Sequence, residues 1–80
     1  MRPTPEVAAR IEELLREELS LLGENPRTFK PEEIAANMEC EVQDDNSMTY
    51  IWKGLPILHV QPEPTENGVH WRMFTREEPL

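Results

Sequence analysis

Between Val7 and Leu22 the apolar positions return every three or four residues, and after Met48 they alternate. The first period is that of a helix with one buried stripe, the second that of half-buried strands. Val7, Ile11, Leu14, Leu15 and Leu22 form the helical stripe, flanked by Ala8 and Leu19, while Arg10, Glu13, Arg16, Glu17 and Ser20 take the wet face. Thr4 can cap this helix, Pro5 suits its first position and Glu6 favours the positive end of its dipole. Glu6–Arg10 and Glu12–Arg16 stand four apart in the favourable order. Gly23 ends the helix and Pro26 forbids its continuation.

A second, shorter helix begins at Pro31, with Glu32 and Glu33 in its first turn and Ile34, Ala35 and Met38 as a narrow apolar stripe. Phe29 and Ile34 have the spacing of a hydrophobic staple, although Lys30 is a poor cap. The helix fades over 39–41, and Gln43-Asp44-Asp45-Asn46-Ser47 reads as an acidic turn or loop. Strands follow at Met48–Trp52, Ile57–Gln61 and Val69–Thr75. Lys53-Gly54 supplies a tight turn, and the run Pro62 to Gly68 breaks the pattern completely. The expected fold is α+β: two N-terminal helices and a three-stranded antiparallel meander in one small domain, 1–80, with frayed ends at 1–4 and 76–80.

Three strands need a helix on one face. Alternation puts Ile51, Leu58, Val60, Val69, Trp71 and Met73 under the first helix, with Ile11, Leu14 and Leu15 above them. The other face then holds Tyr50, Trp52, Ile57, His59, His70, Arg72 and Phe74, which is too apolar for plain solvent and suits a contact surface. Cover by the second helix, or a register slip of one residue that exchanges the two sets, are the plainer readings.

Charge adds the most specific feature. Acidic residues outnumber basic ones 16 to 8, for a formal net charge of −8. Glu32, Glu33, Glu39, Glu41, Asp44 and Asp45 fall between Pro31 and Trp52 with no Lys or Arg among them. Such a field repels phosphate backbones and attracts basic surfaces, so direct nucleic-acid binding is excluded and a basic protein partner is expected. The same charges argue against a winged-helix DNA reader, because the second helix offers no basic group after Lys30. Charge runs also occur simply as solvated faces. A single cysteine, Cys40, excludes an internal disulfide and fits a reducing compartment. The N-terminus lacks the apolar run of a signal peptide, no run of about 20 apolar residues exists for a membrane span, and a cytoplasmic protein is expected. Six Arg against two Lys hint at a GC-rich bacterial or phage source.

Candidate chemistry is thin. His59 and His70 on adjacent strands, with Cys40 and Glu39 or Glu41, are ligand types that zinc accepts, but no two have the close spacing of structural zinc sites. No metal or other cofactor is expected. Cys40 lies between two acids rather than beside the basic groups that activate a thiol, and no glycine-rich phosphate cradle exists. The leading expectation is a non-enzymatic module that occupies a basic partner surface through Glu32, Glu33, Glu39, Asp44 and Asp45, with Tyr50 and Trp52 as apolar anchors. Its sharper form is a phage-type inhibitor that imitates nucleic acid. The alternatives are a homo-oligomeric accessory protein using the Tyr50–Trp52–Phe74 face, such as a homodimer, and a small metal- or Cys-dependent enzyme.

Overall fold

The computed structural model describes residues 3–25 and 31–76. Helix α1 spans Pro5–Leu21 and α2 Pro31–Asn37; strands follow at β1 Met38–Val42, β2 Met48–Trp52, β3 Leu55–Thr65 and β4 Gly68–Thr75. The strands form one antiparallel sheet in chain order, β1-β2-β3-β4, with α1 packed across β3 and β4. The class is α+β, as the sequence indicates, but the sheet has four strands rather than three.

The first helix follows its sequence signals closely. Thr4 caps it, its hydroxyl accepting from the Val7 N–H at 3.3 Å, and Pro5 opens it. At the other end the Glu24 N–H reaches the Leu19 carbonyl at 2.9 Å and the Gly23 N–H that of Ser20 at 3.0 Å. That double closure is a Schellman cap, and it needs the left-handed Gly23, at φ 84°. Arg16 pairs with Glu12 at 2.7 Å as expected, whereas Arg10 turns to Glu13 at 3.1 Å instead of Glu6. The expected staple of Phe29 on Ile34 and the cap at Lys30 lie outside the described residues.

Strand β1 occupies the stretch expected to be a fading helix end. Its residues alternate, Met38, Cys40 and Val42 against Glu39 and Glu41, which is a strand signature. The hairpin to β2 turns through Gln43–Ser47: Asn46 donates to the Gln43 carbonyl at 3.0 Å, Gln43 donates to that of Ser47 at 2.9 Å, and Asn46 sits at φ 68°. This is a type I turn with a following left-handed residue. Lys53 and Gly54, at φ 48° and 83°, make the two-residue turn between β2 and β3.

Strand β3 runs on to Thr65 through the segment expected to be a loop. Its prolines are tolerated for a topological reason. The last β2 partner, Met48, pairs with Val60, so Pro62 and Pro64 lie where β3 overhangs β2 and pairs only with β4. Their missing N–H groups would have pointed to that side, away from β4.

A bulge shifts the register between Tyr50 and Ile51: Tyr50 opposes Leu58, but Ile51 opposes Pro56. The extra residue lets consecutive Ile57 and Leu58 both enter the core. With Val60 they are buried against Ile11, Leu14, Leu19, Trp52 and Trp71. Tyr50, not Ile51, therefore shares the helix-covered face with Leu58, and Trp52 follows it inward to 3 % exposure. Leu58, Val60, Val69, Trp71 and Met73 belong to this core or pack on it, as alternation indicates.

Candidate functional site

The acidic stretch occupies the β1 margin of the sheet. Helix α2 ends with Asn37 donating to the Glu33 carbonyl at 2.8 Å and passes straight into β1. Its Glu32 and Glu33 are exposed. Glu39 and Glu41 oppose Ile51 and Thr49 and lie on the sheet face away from α1; both are exposed. Asp44 and Asp45 are exposed in the turn beyond. Two strand residues apart, Glu39 and Glu41 have Cα atoms roughly 6.7 Å apart along the edge.

The ion pairs among the described residues lie elsewhere. They join Arg10 to Glu13, Arg16 to Glu12, Lys53 to Glu24, Arg72 to Glu63 and Arg76 to Glu18. None engages Glu32, Glu33, Glu39, Glu41, Asp44 or Asp45. The described basic residues thus pair with Glu12, Glu13 and Glu18 of α1, with Glu24 and with Glu63, and engage none of the acids of the β1 margin.

Asp45 has a second task. Its carboxylate accepts from the Ser47 N–H at 2.9 Å, and the Ser47 side chain and backbone together hold its pKa below the usual aspartate value. It is a turn former as well as a charge, while Asp44 is charge alone.

The expected apolar anchors separate. Trp52 belongs to the core and cannot present its ring to a partner. Tyr50 is half-buried on the α1 side, where burial first and the neighbouring Cys40 thiol second push its hydroxyl upward in pKa. Phe74 lies on the opposite face, its ring 6.2 Å from that of His59 and 4.9 Å from the Arg72 guanidinium. The Tyr50–Trp52–Phe74 patch therefore does not form, because β2 has the parity opposite to the one alternation in β3 and β4 implied.

The histidines and the cysteine do not meet either. His59 opposes Phe74 and His70 opposes Glu63, four rungs along the ladder, while Cys40 opposes Tyr50. Among the described residues no three His, Cys, Asp or Glu gather as metal ligands.

Two features escaped sequence reasoning. Thr49 Oγ1 lies 3.0 Å from His59 Nδ1 on the uncovered face, beside a shallow cavity of about 300 Å³ that Phe74 and Arg76 also line. On its other side the His59 ring meets that of Phe74, 6.2 Å between centroids, and its charge also acts on the Asp45 carboxylate. Glu18 is 2 % exposed in the helix, with Arg76 Nε at 3.4 Å from its Oε2. The register brings Thr49 and His59 together, and no local sequence signal marks either pair. No protein-family model, no curated protein and no solved structure matches this chain.

Proposed function

We propose that this chain is a non-enzymatic protein-binding module that occupies a basic partner surface with its acidic β1 margin. The observation that carries the reading is the separation of charge: six exposed carboxylates over 32–45 outside the described ion pairs, against the described guanidiniums, which pair elsewhere. Paired surface charges contribute little to binding, whereas an unbalanced row retains its field and steers encounter. Glu32, Glu33, Glu39, Glu41, Asp44 and Asp45 are the contacts, and Trp52 leaves the set because it is buried. In its sharper form the module inhibits a nucleic-acid-handling protein by presenting carboxylates where phosphates would lie.

The test uses the chain as bait in a host lysate at low and high salt, beside the E32Q/E33Q/D44N/D45N variant. A basic protein retained at low salt, released at high salt and lost with the variant supports the reading. A partner bound equally well by the variant removes it, since screening and neutralisation act on the same charges.

A further inference from the structure

The two margins of this sheet differ in ways that fit each other. Strand β4 is the far edge, and its residues His70 to Thr75, with Arg10 and Leu14 of α1, line an open groove of about 460 Å³. The backbone parity of that edge can be worked out. Pro62 and Pro64 cannot donate toward β4, so the hydrogen-bonded pairs of the β3–β4 ladder are those between them, such as Gln61–Arg72 and Glu63–His70. The N–H and C=O groups of Val69, Trp71 and Met73 then point out of the sheet. On β1 the Lys53 N–H donates to the Asn37 carbonyl at 2.9 Å and the Gln43 N–H to that of Ser47. The bonded pairs there are Glu39–Ile51 and Glu41–Thr49, so Cys40 and Val42 point their backbone groups outward.

We propose that the β1 edge of one copy adds to the β4 edge of a second copy, extending the antiparallel sheet head to tail. Three independent features agree. With four strands per copy, a second copy laid alongside in the same orientation meets β4 antiparallel and keeps its helix on the same face. Outward backbone groups belong on both edges to residues of the helix-covered face, so Val42 opposite Trp71 and Cys40 opposite Met73 complete a regular ladder. In that register Glu41 lies opposite Arg72 on the uncovered face, an acid against a base. The side chains fit as the backbones do. Val42 is apolar yet 64 % exposed, and it falls along the groove that Leu14 bounds. Arg72 already binds Glu63 at 2.7 Å through one nitrogen, and its fork keeps further N–H donors for a second carboxylate. An edge whose backbone groups have no partner among the described residues favours strand addition, and a heterologous contact of this kind builds open rows or rings rather than a closed pair.

The contact goes beyond the partner-binding reading and needs Glu41 but not Glu32, Glu33, Asp44 or Asp45, so either can fail alone. Sedimentation velocity over a concentration series tests it. Wild type forms species that are multiples of 9.4 kDa and grow with concentration. E41R and R72E each raise the concentration needed for association by about tenfold, since each replaces attraction across the junction with repulsion. Mixing the two variants restores association, because each supplies the charge the other lacks. Circular dichroism of each variant checks that the fold is retained. A wild type that stays at 9.4 kDa at all concentrations overturns the proposal, as does association that neither variant weakens or that mixing does not restore.

Discussion

Alternation places Trp52 and Phe74 together on the face away from α1, and the structure separates them. Trp52 is sealed beneath α1, while Phe74 is half-buried on the uncovered face between His59 and Arg72. Trp52→Ala is therefore expected to cost about 3–5 kcal/mol of unfolding free energy, and Phe74→Ala no more than about 1.5 kcal/mol. Urea denaturation of the two variants decides it, and equal losses would contradict the assignment of faces. Asp45 gives a second check through pH. Its lowered pKa means that the folded state prefers the charged form more than the unfolded chain does. The resulting stabilisation is complete above the ordinary aspartate range and fades as pH falls through the lowered folded value. Asp45→Asn should flatten that acid limb in a series of melting temperatures, and an unaltered limb would show that the turn does not depend on the carboxylate. None of the residue pairs that matter most here, Thr49–His59 or Glu18–Arg76, has a local sequence mark, because each depends on a register or a chain return of ten or more residues.

The elements with local signals were legible, and those that depend on pairing were not. The α1 boundaries follow from Thr4, Pro5 and Gly23, and β2 falls on Met48–Trp52 as its composition indicates. Strand β1 went unseen because Met38 also continues the helical stripe of Ile34 and Ala35, so one residue served two periods. The extension of β3 through Pro62 and Pro64 went unseen because proline reads as a break unless the neighbouring strand is known to end first. Likewise the bulge opposite Tyr50 reverses the face of every β2 residue, and nothing within β2 announces it. Of the two tight turns, Lys53-Gly54 is the more demanding, with both residues at positive φ. A Cβ at Gly54 meets nothing within 4 Å, so the cost of Gly54→Ala is purely conformational, about 1–2 kcal/mol. The urea midpoint should fall by that loss divided by the slope, with the slope itself unchanged; no loss would mean that the turn relaxes into another type.

Across the molecule, charge and apolar surface are sorted by position. Helix α1 and the β4 side hold the described arginine–carboxylate pairs, at Glu12, Glu13, Glu18 and Glu63, and the β1 side carries acids that the described arginines and lysines leave alone. The sequence showed the acids clustered along the chain, and the fold keeps them along one margin because α2, β1 and the next turn are consecutive there. What the chain order could not reveal is that the same sheet ends on the opposite side in a groove bounded by Arg10 and Arg72. A small domain with margins of unlike charge should respond to a basic probe locally, not as a uniform anion. Titration of isotope-labelled protein with a short arginine-rich peptide, followed by backbone amide shifts, measures that response. Shifts concentrated in residues 32–45, and suppressed by added salt, are predicted. Shifts spread evenly over all carboxylates, or centred on Glu12, Glu13 and Glu17 of α1, would contradict an uncompensated acidic margin as the working surface.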